Sequence, residues 1–137
     1  MSDGDKMKEI QFGSKSSKEN YLKAILQLKK NIGDVRSIDI AEHMSLSRPS
    51  VSRAMGELQK DGLIYMGEDK SILFTNKGRQ QAELVLEKYM FLRSLLSAAG
   101  IGEPAITLEA CNMEHAISDD TFLALRHMLQ TIIKTSE

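Results

Sequence analysis

From Tyr21 the chain places an apolar residue every three or four positions: Tyr21, Ile25, Leu28 and Ile32, closed by Gly33. That spacing is the mark of a helix with one apolar stripe. It predicts a helix over about Ser17 to Asn31, with Ser16 and Ser17 as N-caps. Ile40, Ala41 and Met44 predict a short second helix capped by Ser37, and Ser45-Leu46-Ser47 breaks it. Val51, Ala54, Met55 and Leu58 then form the apolar face of a third helix. Ser47 is its N-cap, Pro49 sits in its first turn where a missing N–H costs nothing, and Asp61-Gly62 stops it. After that the period is lost. Leu63-Ile64-Tyr65-Met66 and Ser71-Ile72-Leu73-Phe74-Thr75 are β-prone runs around Gly67-Glu68-Asp69-Lys70, which predicts a hairpin. Two short helices about a tight turn, followed at once by a hairpin, is the element order of a winged helix-turn-helix.

The rest of the chain reads as helix. Thr75 or Asn76 caps a long one over about Lys77 to Ala99, with Val85, Tyr89, Leu92 and Leu96 in line and Leu84, Phe91 and Leu95 widening the face. Pro104 opens another, over about Glu103 to Ile117, and Ser118 caps a last one through Phe122, Leu125, Leu129 and Ile132. The expected fold is mainly α: an N-terminal winged helix-turn-helix with a two-stranded wing, then an all-helical domain. The expected domains are a flexible arm at 1–15, a DNA-binding domain at 16–76 and a helical domain at 77–137. Three helices with apolar faces this wide have surplus surface to cover, and a second copy about a twofold axis would cover it. A homodimer is therefore expected, since a helix-turn-helix commonly reads two half-sites one DNA turn apart.

Composition sharpens this only in part. The net charge of −1 carries no signal by itself. Residues 1–79 hold 14 Lys and Arg against 11 Asp and Glu, a balance of +3, whereas residues 80–137 hold 4 against 8, a balance of −4. A basic first part and an acidic second part fit a division of labour between the two. No apolar run approaches the roughly 20 residues that span a bilayer, and Met1 to Lys8 does not read as a secretory signal. A cytoplasmic protein without a membrane partner is expected. Cys111 is the one cysteine, so no internal disulfide can form.

Two groups of residues carry candidate chemistry. On the third helix, Ser47, Arg48, Pro49, Ser50, Ser52 and Arg53 crowd the N-terminal half. Small hydroxyls and free N–H groups at a helix start suit phosphate oxygens, and an arginine fork matches the O6/N7 edge of guanine. Arg53 is placed to reach bases and Arg48 to meet a phosphate. On the wing, Lys70 is a further phosphate contact, beside Glu68 and Asp69, which would repel the backbone. Lys18, Lys77 and Arg79 are flanking candidates. On the fifth helix, Cys111, Glu114 and His115 stand at i, i+3 and i+4 and share one face. A thiolate, a carboxylate and an imidazole converging from one rigid helix suit a divalent transition metal: Fe2+, Co2+, Ni2+ or Zn2+ before Mn2+, and not Mg2+ or Ca2+. A fourth ligand must come from elsewhere. An enzyme using Cys111 with His115 as base is the rival reading, but no glycine-rich loop offers an oxyanion hole, and no enzyme is expected. His43 and His127 lack such company.

The strings Glu19-Asn20-Tyr21-Leu22, Asp39-Ile40-Ala41, Ser47-Arg48-Pro49-Ser50-Val51-Ser52, Asp61-Gly62-Leu63, Thr75-Asn76-Lys77-Gly78 and Glu109-Ala110-Cys111 through Met113-Glu114-His115 with Ser118 carry a resemblance. From Ser17 to Ser118 the chain resembles the diphtheria toxin repressor family of iron- and manganese-dependent repressors, in a short form without an SH3-like domain. The resemblance implies a winged helix, a helical dimerisation domain and operator binding activated by Fe2+ or Mn2+, on a pseudo-palindromic double-stranded operator. It also implies a ligand on the first helix at the position of Asn20, where the family has Met or Asp. Manganese-type members use a further carboxylate where this chain has Lys23. The family's second metal site falls on Tyr89, Arg93 and Thr107, none of which fits it, so that site is expected to be absent. A metal-independent regulator with a degenerate site is the alternative.

Overall fold

The structure, a computed structural model, describes residues 14–136. It contains α1 (Ser14–Ile32), α2 (Ser37–Met44), α3 (Arg48–Lys60), β1 (Ile64–Met66), β2 (Ile72–Phe74), α4 (Asn76–Ala98), α5 (Ala105–Ala116) and α6 (Asp119–Ser136). These elements form two compact units that divide at Val85 and Leu86, within α4. Most of the expected arm lies outside the described residues. Ser14 and Lys15 already belong to α1, so Ser16 and Ser17 stand inside that helix rather than capping it.

In the first unit α1, α2 and α3 pack on one another, and β1 follows against α3. Burial on α1 is not the single stripe that the spacing suggested. Residues 20–26 are all buried, while Ile32 is 53% exposed. A helix covered all round for nearly two turns is an interior element. Ile40 and Ala41 of α2, Val51, Met55 and Leu58 of α3, and Ile64 and Ile72 of the strands complete this core. Burying such aliphatic side chains stabilises by about 1.5–3 kcal/mol each.

The caps show why the chain turns where it does. Helix α2 begins after Arg36, not Ser37: the Arg36 N–H donates to the Asp39 carboxylate at 2.9 Å. Ser45 ends it in the left-handed region at φ 55°, and the Leu46 N–H returns to the Ala41 carbonyl at 3.0 Å. The hairpin pairs Ile64 with Phe74, Tyr65 with Leu73 and Met66 with Ile72. Thr75 then locks the wing to the next helix. Its N–H and hydroxyl reach the Leu63 carbonyl, each at 3.1 Å, and its Oγ accepts from the Gly78 N–H at 3.0 Å.

In the second unit Leu86, Leu92, Ile106, Ala110 and Phe122 are buried. Phe91 meets Phe122 edge to face, with ring centroids 5.5 Å apart, and the Arg126 guanidinium lies 5.1 Å over the Phe122 ring. Arg126 also pairs with Glu87 at 3.0 Å, so α6 is held to α4 by both an aromatic and an ionic contact. Ser118 caps α6 as expected, accepting from the Thr121 N–H at 3.1 Å. Met90, Leu95, Leu108, Met113, Leu123, Met128 and Ile132 are exposed, the surplus apolar surface expected of this part. Among the described residues no helix is long and apolar enough to cross a membrane.

Candidate nucleic-acid interface and metal centre

Helix α3 has two faces of opposite character. Val51, Met55 and Leu58 are buried at helical spacing, which turns Ser47, Arg48, Pro49, Ser50, Ser52 and Arg53 outward, all of them exposed. The Ser47 oxygen accepts from the Ser50 N–H at 3.3 Å, and its hydroxyl donates to the Ser50 oxygen at 2.8 Å. Ser47 is thus engaged in capping, and the Ser50 hydroxyl proton is left to donate outward. The two arginines extend from a helix start with a positive dipole end.

The wing tip differs electrostatically from its sequence. Lys70 sits at φ 66°, exposed, where the Lys70 N–H closes the turn on the Gly67 carbonyl at 3.0 Å. Asp69 does not simply oppose a phosphate. It accepts from the Ser71 hydroxyl at 2.7 Å and N–H at 3.1 Å, and Arg36 stands 3.8 Å away. The Ser71 hydrogen bonds, with Arg36 assisting, hold the Asp69 carboxyl below its ordinary range. Of the flanking cations, Lys18 pairs with Asp61 at 2.5 Å, and Arg79 pairs with Glu83 at 3.5 Å and lies 5.7 Å over the Phe74 ring. Lys77 donates to the Asp61 carbonyl at 3.5 Å.

Helix α5 places its apolar residues Ile106 and Ala110 inward, and the next inward position is Glu114, which is fully buried. A carboxylate at a core position costs several kcal/mol unless a cation or hydrogen bonds compensate it. Cys111, half-buried, and His115, 10% exposed on its side chain, flank it. The Cys111 Sγ is 3.9 Å from His115 Nε2, and that nitrogen is 3.3 Å from Glu114 Oε1. One donor atom from each lies within 4.8 Å of the others. In tetrahedral zinc sites, bonds of about 2.3 Å to sulfur and 2.0–2.1 Å to nitrogen put the sulfur and nitrogen about 3.6 Å apart. The donor set and its spacing therefore fit a transition-metal ion. Asn20 is a buried residue of α1, in the first unit, as is Lys23.

Tyr89, Arg93 and Thr107 do meet, but around a cation of the chain's own. The Arg93 guanidinium donates to the Thr107 hydroxyl at 2.9 Å and the Tyr89 hydroxyl at 3.3 Å, and pairs with Glu103. Thr107 donates in turn to Glu103 at 2.6 Å. That bond, and then the guanidinium, holds the Glu103 carboxyl below its ordinary range. Glu103 is a member that no spacing rule singled out, because it precedes α5 and joins α4 only through the fold.

A helix-turn-helix with a β-wing, followed by a helical unit that gathers a thiolate, a carboxylate and an imidazole, defines a winged-helix regulator with a candidate metal centre. The chain belongs to the iron dependent repressor family. Residues 15–72 match that family's N-terminal DNA binding domain, and residues 75–135 match its metal binding and dimerisation domain. The chain is 30% identical over 118 residues to the diphtheria toxin repressor of Corynebacterium diphtheriae, covering 85% of this chain and 52% of that one. It is 27% identical over 112 residues to the transcriptional regulator MntR of Escherichia coli, covering 82% of this chain and 72% of that one. Among solved structures, the manganese regulator SloR superposes with a TM-score of 0.71 at 30% identity, over 82% of this chain and 53% of that chain. The chain thus spans about half the length of the diphtheria toxin repressor and of SloR.

Proposed function

We propose that this chain is a transcriptional repressor whose binding to a pseudo-palindromic DNA operator, as a homodimer, is activated by a divalent transition metal, Fe2+ foremost, with Mn2+, Co2+, Ni2+ or Zn2+ as the alternatives. The observation that carries this reading is the fully buried Glu114 with Cys111 and His115 beside it on one helix, in a chain of the iron dependent repressor family. Cys111, Glu114 and His115 would hold the ion, and a fourth donor, for which the family resemblance offers Asn20, would complete the set. The ion supplies binding energy to one conformation. It favours the DNA-competent form only by binding that form more tightly than the other. Ser47, Arg48, Pro49, Ser50, Ser52 and Arg53 face the DNA and Lys70 meets a flanking phosphate. In a dimer the two α3 helices would enter major grooves about 34 Å apart. The functional division that goes with this reading is a DNA-binding part at 16–76 and a metal-binding and dimerisation part at 77–137.

The test begins with duplexes selected from a random pool by Fe2+-loaded protein. Binding of the selected duplex is then measured by anisotropy after chelation and after Fe2+, Mn2+ or Zn2+ is restored. Affinity should rise at least tenfold with metal in the wild type and stay flat in His115→Ala. Equal affinity with and without metal would leave a metal-independent regulator, the reading that Asn20 favours because a neutral amide is a poorer ligand than a carboxylate.

A further inference from the structure

The helix that carries the metal donors is held at both ends by cations of α4 that are themselves no part of the donor set. At its start, Arg93 engages Glu103 and Thr107. At its finish, Lys88 donates to the carbonyl of Ile117, the C-cap residue of α5, at 3.3 Å and pairs with Asp119, the first residue of α6, at 2.6 Å. The two differ in cost. Arg93 keeps 37% of its side chain exposed, whereas the Lys88 side chain keeps 6%. An ammonium withdrawn from water persists only where its three donors find acceptors. Lys88 finds two of them, the Ile117 carbonyl and the Asp119 carboxylate, at the junction through which the chain leaves α5, two residues beyond His115 and three beyond Glu114. The frame it reaches from is rigid, since Glu87 and Phe91 on either side of it bind Arg126 and Phe122 of α6.

We propose that Lys88 is a positioning residue for the metal centre: by tying the Ile117 carbonyl and Asp119 to α4, it sets the direction in which the last turn of α5 presents Glu114 and His115. Arg93 fixes the opposite end, so α5 cannot roll about its axis and its three donor atoms keep one direction before an ion arrives. A donor set arranged in advance binds more tightly than one that must be ordered at the moment of binding. This inference rests on the reading of Cys111, Glu114 and His115 as a metal site.

Co2+ is the probe, because its visible bands report coordination geometry and its charge-transfer band reports the thiolate. Wild type, Lys88→Met and Lys88→Arg are titrated with Co2+ alone. Removing the hydrogen-bonded support of a ligand commonly weakens metal binding about 10–100-fold. Lys88→Met should lose affinity within that range and shift the visible bands. Lys88→Arg, which keeps the charge and the donors, should restore both. Asp119→Asn, altered at an exposed residue while Ser118 still caps α6, should weaken Co2+ severalfold and decides the matter if Lys88→Met does not fold. If wild type gives no thiolate charge-transfer band, the metal reading itself fails. If wild type gives the band and the folded Lys88 or Asp119 variants match it in affinity and spectrum, the metal reading stands and the role of Lys88 is overturned.

Discussion

Replacing Gly78 by alanine sets two effects of opposite sign against each other. Gly78 lies in the first turns of α4, where exchanging glycine for alanine ordinarily stabilises by about 0.5–1 kcal/mol. A Cβ at Gly78, however, would stand 1.8 Å from the Leu63 carbonyl oxygen, and 3.0 Å is the least that real contacts tolerate. The obstacle is backbone, so no side chain can swing aside. The Leu63 carbonyl also accepts from both the N–H and the hydroxyl of Thr75, so moving it strains two bonds at the root of the wing. Overpacking costs about 1–3 kcal/mol, and each hydrogen bond contributes about 0.5–1.5 kcal/mol net. The clash therefore wins, and Gly78→Ala should destabilise by about 2–4 kcal/mol. At about 4–8 °C per kcal/mol for a unit of this size, Tm should fall by about 10 °C or more. Gly56→Ala is the control: Gly56 lies in α3 with nothing within 4 Å of its would-be Cβ, so it should raise Tm by a few degrees. Melting curves by circular dichroism decide. A Gly78→Ala protein as stable as wild type would refute the close approach of α4 to Leu63, the residue before β1.

Arg53→Ala should cost about 1–3 kcal/mol on a selected duplex and relax preference at one base position, while Arg48→Ala should weaken all duplexes alike and lower the salt slope by about one phosphate contact. Both are read from anisotropy titrations at several salt concentrations. Elemental analysis after metal loading should return one ion per chain, since Arg93 already supplies the cation among Tyr89, Glu103 and Thr107; a second tightly held ion would contradict this. Glu103 is held below its ordinary value of 4.5, so its stabilising effect is present above that value and disappears as pH falls through the lowered one. The Tm difference between wild type and Glu103→Gln, measured from pH 7 to pH 3, should shrink accordingly. Met128→Glu with Ile132→Glu, on the exposed apolar face of α6, should convert the proposed dimer to monomer in sedimentation velocity.

The order of elements was legible because helix and hairpin differ in period, and because caps and stops are local. Ser47 and Ser118 act on atoms three residues away, and both appear where the sequence places them. Boundaries were less legible where the deciding contact was not local. Ser37 looks like a cap, but Arg36 holds that place because the Asp39 carboxylate bonds its N–H. The reading of α1 as a one-faced helix failed for a related reason. Spacing shows which residues are apolar, and only the fold shows that Asn20 and Lys23 are buried along with them.

The Cys111, Glu114 and His115 cluster was legible because residues at i, i+3 and i+4 share one face of a helix. What supports it was not. Glu103, Lys88 and Asp119 are ordinary charged residues in sequence, and each gains its meaning from a partner 10 to 31 positions away. The same holds at the wing. Asp69 in sequence argues against DNA, yet two hydrogen bonds from Ser71 and the nearby Arg36 spend its charge inside the turn, leaving Lys70 exposed beside it. Asp69→Ala therefore gives a sharp result. If the carboxylate mainly repelled phosphates, its removal would tighten DNA binding. If it mainly holds the tip that presents Lys70, removal should loosen the turn and weaken binding a few-fold, with the loss reduced in a Lys70→Ala background. The second outcome is expected, because two hydrogen bonds to a charged acceptor outweigh one screened repulsion at an exposed tip.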